Sequence, residues 1–332
     1  MQIEAFSLGK SFLHPEDNED SFIIIPGVGY AVIDGVTDHN GTYYGDMRAG
    51  RFAAQIVKRA LGEFLLEHAD SAASSYPGPE ALVGHVSSRL REGYEKHGRL
   101  ESATRDSNQR AGCAFTAAIH VDGNIKIVAI GDTGLRLNGK DVHQMSKPLD
   151  TVTSLMRREA WNLFASEGRS LEDCENLSAA VNRYGLAHQT SDEVKESDKK
   201  EIRCRVIAAC AAMIRTIPEA ELEHLISHGI AHGQRQYSNK TDLALGFGLL
   251  DGFEVPAKHI FQKTYPSEDI RQIELFSDGY FKCGEDFGVA SWEKAFREVE
   301  LTDPYKIGPY MSTKGSTPSS YTDDRTYLGI KL

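Results

Sequence analysis

Short runs of β-branched and apolar residues alternate along the chain with longer stretches of helical periodicity. Ser21 to Ile25 (SFIII) and Gly29 to Ile33 (GYAVI) are separated by Pro26, Gly27 and Val28, a turn signal, and predict a hairpin. Residues 48 to 68 then place Phe52, Ile56, Val57, Ala60, Leu61, Phe64 and Leu65 on one helical face, and residues 80 to 97 repeat the pattern with Leu82, Val86, Leu90 and Tyr94. Ala114 to Val121 and Ile125 to Ile130 flank Asp122-Gly123-Asn124, a strong hairpin signal, and a short strand to Leu137 precedes the Asn138-Gly139 turn. From Lys140 to about Gln234 the character is helix-forming, with breaks at Gly168, Gly185 and Pro218. Strand character returns at Ile260 to Lys263, Gln272 to Phe276 and Arg325 to Lys331, interrupted by a helix near Ser291 to Val299 and a Ser/Thr/Gly/Pro loop from Tyr305 to Tyr321.

Composition narrows the function classes. The 332 residues are 40% hydrophobic and 26% charged, with a formal net charge of −11, which argues against nucleic-acid or anionic-membrane partners. Such a length suggests two domains or one large sandwich. No window has the apolar length of a membrane helix and the first residues lack a basic leader, so a cytoplasmic location is expected. Five scattered cysteines, none in C-x-x-C spacing, predict reduced thiols rather than disulfides or a zinc ribbon.

The candidate chemistry is acidic. If the first hairpin turns about Gly27, residues whose numbers sum to 54 face each other, which sets Asp20 opposite Asp34. Like charges across a hairpin repel, so the pair asks for a counter-cation. Oxygen ligands select Mg²⁺, Mn²⁺ or Ca²⁺ over zinc, and Gly35 leaves room for a backbone carbonyl to approach an ion. One such pair alone is more readily read as two strand-terminating aspartates. The device recurs, however, at Gly131-Asp132 and at Ser277-Asp278-Gly279, and Asp323-Asp324 precedes the last strand. Four strand-end acids converging at one end of a sandwich make a cleft for two hard cations.

Asn18-Glu19-Asp20-Ser21, Val32-Ile33-Asp34-Gly35, Ile130-Gly131-Asp132-Thr133, Phe276-Ser277-Asp278-Gly279 and Asp323-Asp324-Arg325-Thr326 resemble, in order and spacing, the motifs of the metal-dependent serine/threonine phosphatases of the 2C type, the PPM family. Asp34-Gly35-Val36-Thr37-Asp38, Gln236-Tyr237-Ser238-Asn239 and Ser312-Thr313-Lys314-Gly315 resemble a mainly bacterial branch of it. The resemblance implies an α+β fold, a four-layer αββα sandwich of two mostly antiparallel sheets, formed by residues 1–332 as one catalytic domain with a helical insertion at 140–233. It implies that Asp34 bridges two Mn²⁺ or Mg²⁺ ions, that the Gly35 carbonyl completes one site and that Asp278 and Asp323 ligate the second face. Glu19 and Asp20 would act mostly through metal-bound waters, and Asp132 would serve an accessory third ion. The implied reaction is direct in-line attack on a phosphomonoester, most plausibly protein phosphoserine or phosphothreonine, by a hydroxide bridging two metals.

The substrate side departs from the family. Its phosphate-gripping arginine is replaced by Pro15, the histidine after Asp-Gly by Val36, the following glycine pair by Thr37-Asp38, and the Asp-Asn before the last strand by Asp323-Asp324. Phosphate is expected instead on Lys314 or Arg325, with Lys10 or His14 in reserve, and His39 or a metal-bound water is the expected proton donor to the leaving group. Alternatives are a catalytically weak regulatory module that binds a protein partner through 140–233, or a phosphatase of a small metabolite. His224, His228 and His232, at i, i+4 and i+8, have a spacing that can chelate a transition metal. Gly229 and Gly233 weaken that helix and no carboxylate is placed as in H-E-x-x-H, so a solvated polar face is the preferred reading.

Overall fold

The computed structural model describes residues 1–38, 41–188, 194–214 and 216–332. Along the chain run strands β1 (Gln2–Leu8), β2 (Ser21–Ile25), β3 (Gly29–Gly35), β4 (Tyr43–Tyr44) and β5 (Met47–Arg48), then helices α1 (Ala49–Glu67), α2 (Gly78–Lys96) and α3 (Leu100–Arg105). Strands β6 (Cys113–Val121), β7 (Asn124–Ile130), β8 (Gly134–Leu137) and β9 (Asp141–Gln144) follow, then helices α4 (Pro148–Ser166), α5 (Leu171–Tyr184), α6 (Glu196–Met213) and α7 (Glu219–Gly233). The chain continues through β10 (Phe261–Pro266), β11 (Gln272–Phe276), α8 (Val289–Thr302) and β12 (Arg325–Lys331). It divides into two compact units, one of residues 1–146, 248–298 and 323–332, the other of 147–247 and 299–322.

The first unit holds two five-stranded sheets, ordered β1-β12-β11-β8-β9 and β10-β7-β6-β3-β2. Every pairing within them is antiparallel. Side chains of a strand alternate between faces, and β3 uses both. Tyr30 and Val32 point into the core between the sheets with Leu275, Leu328 and Ile330. Ala31 and Ile33 point the other way, against Phe52, Val57, Leu61 and Leu90 of α1 and α2. On the far face of the first sheet, Trp292 of α8 packs against Phe276 and Tyr327 at ring distances of 4.8 and 4.9 Å. The order helix, sheet, sheet, helix is the expected αββα sandwich, and its helices form where the 3.6-residue apolar stripes lie.

In the second unit the expected breaks punctuate the helices. Gly168, at φ 79°, follows α4, Gly185, at φ 72°, caps α5, and Pro218 precedes α7. Arg157 of α4 is fully buried, donating to Glu175 and to the carbonyl of Tyr305 at 2.6 Å each. The 305–321 loop is ordered by the Asp303 carboxylate, which accepts from the backbone of Ile307, Gly308 and Tyr310. The helical stretch expected from Lys140 begins only at Pro148, because the Asn138-Gly139 turn returns the chain as β9 on β8. Strand β1, which the pattern of residues did not announce, pairs along its whole length with β12.

Candidate metal centre

The first hairpin pairs Ser21 with Ile33 and Ile25 with Gly29, the register that sums to 54, and its continuation by one residue faces Asp20 with Asp34. Gly35 is required by a close approach: a Cβ there would lie 2.6 Å from the carbonyl oxygens of both Glu19 and Gly50. Asp132 follows β7 through Gly131, whose φ of 81° turns the chain towards β8. Asp278 follows β11, and Gly279 lets that segment sit against the carbonyl of Asp324, where a Cβ would come within 2.1 Å. Strand ends of both sheets thus supply acids to one place. Carboxylate oxygens of Asp34, Asp132 and Asp278 lie within 4.8 Å of one another.

The electrostatics are those of crowded anions. Burial, then the charges of Asp20, Asp132 and Asp323, push the Asp34 carboxyl well above the usual aspartate range. Burial, then Asp34 and Asp132, does the same to Asp278, and burial, then Asp324, to Asp20. Asp34 and Asp278 are thus each raised chiefly by burial and by the charges of their acidic neighbours. Glu19 Oε1 and Asp20 Oδ2 are buried without a hydrogen-bond partner. An unpaired buried carboxylate oxygen is costly, and among all-oxygen donors the natural remedy is a hard divalent cation. The residues therefore fit the ions that the acidic motifs imply.

One cation is built in. Lys10 Nζ lies 3.3 Å from Glu19, 3.0 Å from Asp323 and 3.3 Å from Asp324, and 2.9 Å from the Thr37 hydroxyl. Burial works to lower its pKa, but Asp323, Asp324 and Glu19 outweigh it and hold the ammonium protonated. Asp324, absent from the expected ligands, is a backbone clamp: its two oxygens accept from the amides of Lys10 at 2.7 Å and Glu19 at 3.2 Å. Thr37 donates to Glu19 at 2.8 Å. The doubled Asp323-Asp324 was the signal available for this clamp, but its partners lie some three hundred positions away.

The expected phosphate ligands are placed differently. Arg325 is 3% exposed, its guanidinium bidentate on Glu293 at 2.9 and 2.8 Å and stacked 3.9 Å from the Phe296 ring. Those donors tie β12 to α8 rather than facing a ligand. Lys314 is half-buried on the 303–322 loop of the second unit. His14 is exposed and bonded to Glu16, and Pro15 opens a single 3₁₀ turn. His39 lies outside the described residues.

No protein-family model and no curated protein matches the chain. Solved structures of bacterial serine/threonine phosphatases match it throughout. The serine/threonine phosphatase PstP/Ppp of Mycobacterium tuberculosis is 18% identical, covering 100% of this chain and 98% of that one, with a TM-score of 0.46. The catalytic domain of PstP in complex with two manganese ions is 17% identical over 99% and 96%, with a TM-score of 0.45. The phosphatase Stp1 of Staphylococcus aureus is 12% identical over 100% and 96%, with a TM-score of 0.44. No described helix of the chain is long and apolar enough to cross a membrane.

Proposed function

We propose that this chain is a divalent-metal-dependent phosphomonoester hydrolase of the 2C type, acting on phosphoserine or phosphothreonine in proteins. The observation that supports this best is the meeting of Asp34, Asp132 and Asp278 within 4.8 Å, from strand ends of two different sheets. Repelling carboxylates are retained in a fold when something positive is to be held between them. Asp34, the Gly35 carbonyl, Asp278 and Asp323 are the candidates to hold Mn²⁺ or Mg²⁺, with Asp132 for an accessory ion. Bound there, such ions supply a water acidified towards neutrality and positive charge for the phosphoryl oxygens.

The chain's own residues then hold and orient. Lys10 neutralises part of the outer acids and Asp324 fixes the backbone of Lys10 and Glu19, so the Glu19-Asp20 segment keeps its place. Lys314, on the loop that runs into Asp323, is our candidate for substrate phosphate; Arg325 is left out because its guanidinium is buried and held bidentately by Glu293. The test is hydrolysis of p-nitrophenyl phosphate and of a phosphothreonine peptide, with and without Mn²⁺, by the native chain, Asp34→Asn and Asp278→Asn. Metal-stimulated turnover that falls by about 10²-fold or more in both variants is expected. Metal binding without turnover would instead indicate a binding module, and metal-independent turnover would overturn the reading.

A further inference from the structure

The second unit carries a cluster of imidazoles that the phosphatase reading does not use. His224, His228 and His232 lie on α7, and His188 lies in the turn after α5. His188 Nε2 and His228 Nδ1 are 2.8 Å apart. The His232 ring is 4.8 Å from that of His188, and the His224 ring 4.5 Å from that of His228. His224 Nε2 is buried and has no hydrogen-bond partner.

The backbone is shaped to bring them together. Gly229 interrupts α7 at φ 60° and ψ −164°, and Gly185 leaves α5 at φ 72°. The two glycines pack so closely that a Cβ on Gly229 would sit 2.4 Å from the Gly185 nitrogen, and a Cβ on Gly185 2.3 Å from the Ser227 carbonyl. Leu186 and Ala187 donate their amides to the carbonyls of Ile226 and Ser227 at 2.9 and 3.0 Å. These bonds fix the segment leading to His188 against the kink, and so fix His188 beside His228. Four imidazoles stand in ring contact here, from His224 through His228 and His188 to His232. The neutral ring, with its lone pair available, is the form that ligates metals.

We propose that His188, His228 and His232, with His224 beside them, bind a divalent transition ion of the zinc class, pinning the exit of α5 to the kink of α7. Imidazole suits such ions, whereas the oxygen cluster of the first unit suits Mg²⁺ and Mn²⁺. Two nitrogens on one tetrahedral Zn²⁺ stand about 3.3 Å apart, so the His188–His228 pair opens by about half an ångström on binding. His188 and His232 are exposed; among the described residues, three imidazole nitrogens do not already lie within 4.8 Å of one another, so the proposal requires rotation of these two side chains to bring the third nitrogen in.

The experiment is calorimetric titration of the full chain with Zn²⁺ at pH 7.5. It compares the native protein, His188→Ala/His228→Ala, and Asp34→Asn/Asp278→Asn, which lacks the acidic cluster. A Zn²⁺ site that persists in the aspartate variant and weakens at least tenfold in the histidine variant supports the proposal. Unchanged affinity in the histidine variant, or a site lost only in the aspartate variant, overturns it. Should the double histidine variant melt early in chelator, His232→Gln, at an exposed position, takes its place with the same expected loss. Cu²⁺ bound to the aspartate variant should show nitrogen superhyperfine splitting in its electron paramagnetic resonance spectrum. A spectrum of oxygen ligands alone would also overturn the proposal.

Discussion

Replacing Asp34 by Asn should stabilise the metal-free protein while removing its ability to be stabilised by metal. Asp34 has an oxygen within 4.8 Å of oxygens on both Asp132 and Asp278. At that separation and an effective dielectric of about 20, each ionised pair repels by about 3.5 kcal/mol. Burial and the neighbouring carboxylates raise the Asp34 and Asp278 carboxyls, so protonation relieves part of this repulsion in the metal-free protein. The sign follows from proton counting. Between the ordinary aspartate value and the raised one, the folded state binds more protons than the unfolded chain, so stability falls as pH rises through that window. Asn is a close isostere of the protonated acid, so native and variant should be equally stable in mild acid and diverge towards pH 8. A gain of about 1–3 kcal/mol is expected there, after the protons have absorbed the rest of the repulsion, at about 2–4 °C in Tm per kcal/mol. In saturating Mg²⁺ the order should invert: native protein at a hundredfold excess over Kd gains about 2.7 kcal/mol that the variant cannot. Thermal melts in EDTA at pH 5 and 8, and in Mg²⁺ at pH 8, measure all of this. An Asp34→Asn protein that melts lower than native in EDTA at pH 8, or by a margin independent of pH, would refute the reasoning.

Lys10→Met should cost about 3 kcal/mol in EDTA, since it leaves Glu19, Asp323 and Asp324 facing one another without their cation, and melts with added Mg²⁺ should recover part of the loss. Glu293→Gln should destabilise by about 3–5 kcal/mol, because it strands the buried Arg325 guanidinium, while calorimetry shows Mg²⁺ affinity unchanged within about twofold. Gly279→Ala should lower Mg²⁺ affinity at least tenfold in the same titration, because its methyl must displace the Asp324 carbonyl and with it the segment carrying Asp323.

Much of this site is written locally. The register that opposes Asp20 to Asp34 follows from a turn at Gly27, and the ends of α4 and α5 and the start of α7 follow from Gly168, Gly185 and Pro218, because such residues act within a few positions of themselves. What sequence reasoning lost is set by partners remote in the chain. Arg325 reads as a phosphate ligand until α8 brings Glu293 to it, and Lys10 reads as a spare cation until residues 323 and 324 arrive. Strand β1 went unseen because its seven residues carry no flanking turn and gain their pairing from β12 alone. The spacing of His224, His228 and His232 was legible, but their fourth member was not, since a backbone kink at Gly229 decides what faces them.

The Asp324 clamp has a consequence for the life of the nascent chain. Its hydrogen bonds to Lys10 and Glu19 span 314 and 305 positions, and β12 lies between β1 and β11 in its sheet's bonded order. During synthesis, the segments bearing Glu19, Asp20, Asp34, Asp132 and Asp278 leave the ribosome long before Asp323 and Asp324 do. Until residues 323–331 emerge, β1 lacks the strand it pairs with and the Glu19-Asp20 segment lacks its Asp324 anchor. A stretch of chain that stops short of residue 323 therefore carries the other acids of the centre without the pair that clamps and neutralises them into place.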